Sequence, residues 1–355
     1  MNPNTSHASL DRFRATAVLK SDHFSTIERG FWRGDTGEVE AVLRRIDRVP
    51  WWTRPVARHF LKREARALAR IGGAGIGPEL LASAPEFLVR AWVPGLPMHL
   101  ARPENDAAYF REAKRRLIAM HRTGVVHNDL AKEPNWLRDA DGKPRVTDFQ
   151  LATLHARRSL PFLVAAREDL RHLLKHKRKY CPAALGAAER RLLARKSWAS
   201  RIWMATGKQV YNFVTRRILG YMDREGGGDA LYAAPRIAAR IAEHVDVSAA
   251  AVVPYPTARG VRLYAFVETQ AVLEADEVRE FLCGAGGGLP VPSLVQIVSQ
   301  LPREADGRVR EDVLKLVAEN QIDLVEHLPL DAESRRNLTE LVKKRLNRSD
   351  RRLQT

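Results

Sequence analysis

One stretch constrains this chain more than any other: Val125-Val126-His127-Asn128-Asp129-Leu130-Ala131-Lys132-Glu133-Pro134-Asn135-Trp136, followed by Val146-Thr147-Asp148-Phe149-Gln150. Asp129 and Asp148 lie 19 positions apart, with Asn135 between them. Two carboxylates and one amide supply hard oxygen donors of the kind Mg²⁺ takes in a near-octahedral shell. A carboxylate can also orient a hydroxyl and accept its proton. The spacing therefore predicts three side chains from separate turns meeting around a metal-bound nucleotide phosphate. His127 stands two residues before Asp129.

These residues resemble the His-x-Asp, Asn and Asp-Phe elements of the protein-kinase-like superfamily, closest to its small atypical bacterial serine/threonine-kinase-like branch. The resemblance implies an α+β, two-lobed protein-kinase-like fold over about residues 15–225, with an N-lobe at 15–92 and a C-lobe at 93–225. It implies a phosphotransferase using ATP and Mg²⁺, of the sort called a serine/threonine protein kinase. By that resemblance Asp129 is the catalytic carboxylate, with His127 and Lys132 beside it, and Asn135 and Asp148 hold the metal. Upstream, 38–46 reads as a strand holding Ala41-Val42-Leu43-Arg44, where relatives carry Val-Ala-Ile-Lys. Helical spacing over 54–71 places Glu64 twenty positions after Arg44. Val42, Arg44 and Glu64 are thus the expected nucleotide-site residues. The stretch 88–95 reads as a strand and hinge.

Five departures qualify the pattern. Asp129 and Asn135 are separated by one residue more than usual. Arg44 replaces Lys, and a planar fork does not make the compact phosphate contact of an ammonium. Gln150 replaces the Gly after Asp148-Phe149. The segment 21–26 has no glycine, whereas Gly34 and Gly37 flank a predicted hairpin turn. No Ala-Pro-Glu follows, and a helix is expected to begin near Asp169, leaving little platform for a peptide. The acceptor is therefore a hydroxyl-bearing protein or small molecule, with a lipid-linked one in contention. An inactive pseudokinase scaffold tied to acyl or lipid metabolism is the competing class.

Length permits two domains, and 45% apolar residues support packed cores. The two cysteines, Cys181 and Cys283, make neither a disulfide framework nor a zinc pattern. Residues 1–19 lack an apolar signal core, and no apolar run reaches the roughly eighteen residues of a spanning helix. The expectation is a cytoplasmic protein, with peripheral membrane attachment as a variant.

Charge is concentrated rather than spread. The chain carries 59 Lys and Arg against 42 Asp and Glu, a net +17, and 157–217 alone holds 16 basic against 3 acidic residues. Within it, 198–222 reads as a basic amphipathic helix with Trp198, Trp203, Tyr211 and Tyr221. Its plain reading is a packed C-lobe helix. An anionic membrane surface met by 157–222 is the more specific alternative, and nucleic acid is disfavoured. Trp51-Trp52-Thr53-Arg54-Pro55 reads as aromatic packing ahead of a Pro-started helix.

Beyond Gly226-Gly227-Gly228 the character changes. A linker helix is expected over 229–244, strands at 247–254, 261–268 and 293–301, and a helix at 275–282. This module resembles the C-terminal domain of acyl-CoA-synthetase-like adenylating enzymes over 245–330, through Val252-Val253-Pro254-Tyr255-Pro256 and Leu301-Pro302-Arg303-Glu304-Ala305-Asp306-Gly307-Arg308. Arg308 stands where such enzymes place a Lys, and the large adenylate-forming domain has no counterpart. The roles left open are a relic used for docking, a sensor of acyl or adenylate ligands, and a partner for a separate adenylating subunit. A basic helix and tail, 331–355, closes the chain.

Overall fold

Strands β1 (Phe13–Ser21), β2 (Thr26–Gly34) and β3 (Gly37–Arg45) make an antiparallel meander. Side chains of β2 alternate between interior and water, the period of two that a half-buried strand imposes. Gly34 pairs with Gly37 across the tight turn, and Gly37 adopts a φ of 138° that side chains disfavour. Gly30 is required for a different reason: a Cβ there would stand 2.1 Å from the Arg14 carbonyl oxygen.

This computed structural model describes residues 10–21, 24–35, 37–72, 75–194, 228–257, 260–284, 289–304, 306–328, 330 and 332–348. The protein is α+β and divides into two units, Met1–Thr206 and Gly207–Thr355. The predicted amphipathic helix at 198–222 and the end of the basic tail lie outside the described residues. Among the described residues no helix is long and apolar enough to cross a membrane.

In the first unit, α1 (Arg54–Ile71) follows β3. Pro55 suits its first turn, and Ala57, Leu61, Glu64, Leu68 and Ile71 form its buried stripe at three- and four-residue steps. A carboxylate on an apolar stripe is costly to bury without a partner, so Glu64 marks a built ion pair. Strands β4 (Leu80–Ala84) and β5 (Phe87–Ala91) complete a five-stranded antiparallel sheet in the order β1-β2-β3-β5-β4. Val42 opposes Arg90 and Arg44 opposes Leu88, so these four side chains share one face of the sheet. Ala41, Leu43 and Val89 join Trp32 in the cluster on the other.

The rest of this unit is mainly helical. Strand β6 (Leu96–Pro97) leads into α2 (Met98–Ala101) and α3 (Ala107–Arg122), whose first turn is capped by the Asp106 carboxylate accepting from the Tyr109 N–H. Short strands β7 (Val125–Val126), β8 (Trp136–Arg138), β9 (Pro144–Val146) and β10 (Thr153–Leu154) frame the candidate loop. Then come α4 (Leu160–Tyr180) and α5 (Ala187–Ala194). The helix expected near Asp169 in fact starts at Leu160, behind Ser159 and with Pro161 in its first turn. Trp136, Tyr109, Phe110, Phe149 and Leu68 are each 2% exposed or less in one shared core. Burying each such side chain contributes about 2 kcal/mol. Trp51 is 81% exposed, which corrects the packing expected of the Trp51-Trp52 pair.

In the second unit α6 (Gly228–Ile241) is not the expected linker, because Ala234, Ile237 and Ile241 belong to the unit's core and the helix packs on β11. Strands β11 (Ala249–Thr257) and β12 (Gly260–Glu268) form an antiparallel hairpin. Helix α7 (Ala275–Cys283) then crosses over to β13 (Leu294–Val298), which pairs parallel to β12. Helices α8 (Glu311–Ala318), α9 (Ile322–Glu326) and α10 (Ala332–Lys343) follow. Tyr264 and Phe266 stack at 4.4 Å, and the Tyr264 hydroxyl donates to Gln296 Oε1 at 2.6 Å. Gln296 donates to the Leu341 carbonyl at 3.0 Å, so the C-terminal helix expected as part of a basic tail is a packed element.

Candidate active site

The loop between β7 and β8 is built around Asp169. This α4 carboxylate is 1% exposed and accepts from the His127 N–H at 2.8 Å, the Asn128 N–H at 2.9 Å and His121 Nε2 at 3.2 Å. Three donors repay its desolvation and fix the path of the loop. Asn128 takes a left-handed φ of 66°, and its side-chain Nδ2 donates to the Leu151 carbonyl at 2.9 Å and Thr153 Oγ1 at 3.0 Å. The backbone therefore turns sharply just before Asp129 and is pinned from two sides.

His127 is wholly buried against the Phe149 ring, with centroids 4.8 Å apart. Its Nδ1 accepts from the Asp129 N–H at 3.3 Å, so the proton resides on Nε2, which donates to the Thr147 carbonyl at 2.9 Å. The Thr147 N–H in turn donates to the Asn135 carbonyl at 3.0 Å. Asp148 is thus one residue from a double tie to the loop, and it sits in a left-handed conformation with φ 64°. Residues held there by their surroundings are common at functional sites.

The additional residue between Asp129 and Asn135 is taken up by a 3₁₀ turn at Glu133–Asn135. Asn135 Nδ2 donates to the Asp129 carbonyl at 2.9 Å and to Asp129 Oδ2 at 3.1 Å. Both neighbours are acceptors, so the nitrogen must face them and Oδ1 faces away. Lys132 Nζ lies 2.9 Å from the same Oδ2. The two donors thus converge on the same oxygen of Asp129.

The sheet side is joined through a relay. Arg44 pairs with Glu64 through Nη1, donates from Nη2 to Gln150 Oε1, and from Nε to Ser25 Oγ at 3.2 Å. Gln150 Nε2 donates onward to Asp148 Oδ2 at 3.4 Å. Glu64, 2% exposed, also meets Arg90 Nε at 3.5 Å. Burial pulls the Arg90 guanidinium below its ordinary range, and the Glu64 and Asp148 carboxylates act against that. Gln150 is therefore the link between Arg44 and Asp148.

Of the residues singled out in the sequence, His127, Asp129, Lys132 and Asn135 meet directly. Asp148 is attached to them through Thr147, and to Arg44 and Glu64 through Gln150. Val42 is buried on the same sheet face as Arg44. Arg308 is elsewhere, exposed at a turn of the second unit and bonded to Asp306 Oδ2 at 2.7 Å. Sequence reasoning missed Asp169, Asn128, Gln150 and Arg90 as members of the site. Asp169 had a detectable signal, since it falls on the buried face of α4 seven residues after Phe162 and four before Leu173. Among the described residues no cluster of three His, Cys, Asp or Glu gathers, and the cation-type oxygens here are two carboxylates and one amide.

No family model matches the chain, and no curated protein is similar to it at a meaningful level.

Proposed function

We propose that the first unit is a protein-kinase-like phosphotransferase, with the β1–β5 sheet and α1 as the N-lobe and the helical part as the C-lobe. The observation that carries this reading is the bonded set His127, Asp129, Asn135 and Thr147-Asp148, joined to a buried Glu64–Arg44 pair. Loop and pair come from opposite parts of the unit and meet at Asp148 through Gln150. A structural ion pair alone has no need of a metal-type acid at the end of its relay.

In this reading Asp129 Oδ1 receives the hydroxyl proton of the acceptor as its oxygen attacks the γ-phosphorus of ATP and the bond to the β-phosphate oxygen breaks. Lys132 balances charge next to Asp129. Asn135 Oδ1 and Asp148 are the donors that would hold Mg²⁺, which neutralises phosphate charge when bound. Arg44 faces the nucleotide phosphates from β3. Only residues 149–159 separate Asp148 from α4. So short a segment offers little surface to an extended peptide and favours a compact or lipid-linked hydroxyl acceptor.

The competing reading is nucleotide binding without transfer, favoured by Arg44 being engaged by Glu64, Gln150 and Ser25. Purified chain with Mg²⁺ and γ-labelled ATP separates the two. Transfer or hydrolysis is expected, lowered at least about a thousandfold by Asp129→Asn and by Asp148→Ala. A signal unchanged in both variants removes the assignment. Nucleotide binding without any transfer in the wild type selects the competing reading.

A further inference from the structure

The face opposite Glu64 on α1 carries a second feature. His59, Arg63, Arg66 and Arg70 recur at four-, three- and four-residue steps and line an open groove of about 800 Å³ with Leu154 and His155. No carboxylate lines it. Arg63 forms part of its wall by donating to the Leu151 and Ala152 carbonyls at 2.6 and 3.0 Å. The chain leaving the groove, 152–167, contains Arg157, Arg158 and Arg167 and no acidic residue. Among the described residues none of these three arginines meets a carboxylate.

Alongside these cations sit apolar side chains that the fold leaves in water. Leu160 is 78% exposed, Leu163 50% and Val164 51%, on the first turn of α4 at i, i+3 and i+4. Leu154 is 41% exposed. The His155 ring packs on buried Phe162 at 5.5 Å, which fixes the groove against this turn of α4. One exposed leucine is ordinary, but three apolar residues on one helical turn, next to unneutralised arginines, make an interaction surface.

We propose that this face, Leu154 to Val164 together with the α1 arginines, docks on an anionic lipid bilayer surface. Charge complementarity selects anionic lipid, and the exposed leucines distinguish a bilayer from nucleic acid, whose outer surface is phosphate and offers nothing to an aliphatic side chain. Arginines reach headgroup phosphates while Leu160, Leu163 and Val164 enter the boundary with the acyl chains. The proposal does not depend on phosphotransfer.

The test is flotation of the full chain with vesicles of phosphatidylglycerol in phosphatidylcholine, against phosphatidylcholine alone. Binding is expected only to the anionic vesicles. Leu160→Ser/Leu163→Ser keeps every charge and should weaken it about tenfold. Arg157→Ala/Arg158→Ala should weaken it roughly 25-fold, at about fivefold per arginine near an anionic surface. Arg190→Ala/Arg191→Ala, on exposed α5, removes the same charge away from this face and should change binding far less. A leucine variant that binds like the wild type overturns the proposal, as does an arginine pair no more effective than its control. So does a leucine variant that melts several degrees lower, because those side chains would then pack on another part of this chain.

Discussion

Gln150 matters because a glycine would leave nothing between Arg44 and Asp148. An arginine reaches farther than a lysine and presents two Nη groups in a plane, so one can hold Glu64 while the other needs a separate acceptor. The Gln150 amide is that acceptor, and its own N–H then steadies Asp148 Oδ2. The two departures from the kinase-like pattern are thus a matched pair. Matched residues are non-additive when changed. Arg44→Lys alone should weaken MgATP binding by about tenfold, since the amide loses its donor. Gln150→Gly alone should also weaken it. The double variant should recover part of the loss, with a coupling of about 1 kcal/mol in a nucleotide titration. Strict additivity in that cycle would show that Gln150 does not couple Arg44 to Asp148.

At the scale of elements, Glu189 holds three helices together. Its carboxylate accepts from Lys114 of α3 at 2.8 Å, from Lys177 of α4 at 2.7 Å and from the Gly186 N–H at 3.3 Å at the start of α5. Burial raises this acid, but the hydrogen bonds from Lys114 and Lys177 outweigh that and leave it lowered to about 2 from 4.5. A depressed folded-state value means stability that is fully present above pH 4.5 and is lost as pH falls towards 2. After solvent screening this is worth about 1 kcal/mol. Glu189→Gln should lower the melting temperature by a few degrees near neutral pH and narrow the gap to wild type across that acid window. An equal gap at both ends of the window would show that the carboxylate charge contributes nothing.

Elements with strong local signals were legible. The bounds 54–71 of α1 follow from Pro55 at one end, Gly72 at the other and an apolar step of three and four. The β2–β3 turn was marked by Gly34 and Gly37. The start of α4 was hidden because Leu160, Leu163 and Val164 are apolar yet exposed, which defeats a pattern that assumes apolar means inward. Asp148, Asp129 and Asn135 could be named from spacing. The place of Asp169 on the apolar face of α4 was detectable, but its role and that of Gln150 were not, because they rest on bonds across 42 and 106 positions that no local periodicity encodes. The linker assignment of α6 failed for the same reason, since its apolar stripe is completed only by β11, β12 and α7.

For the whole molecule, each of the two units has a hydrophobic core of its own. Trp136, Phe149 and Leu68 lie in one, and Ile237, Ala265 and Val278 in the other. Every residue of the proposed phosphotransfer site falls in Met1–Thr206, whereas Arg308 is exposed and bonded to its neighbour Asp306. Nothing in the proposed reaction then requires Gly207–Thr355. Expressed separately, 1–206 and 207–355 should each unfold cooperatively by calorimetry, because each buries its own apolar faces. The first should bind MgATP within about threefold of the full chain, since no site residue is removed. The second should give no carboxylate-dependent pyrophosphate exchange with ATP, since its turn carries an arginine paired with Asp306. Loss of nucleotide binding from 1–206 while that fragment still melts cooperatively would place part of the site beyond residue 206. The assignment of phosphotransfer to the first unit alone would then fail.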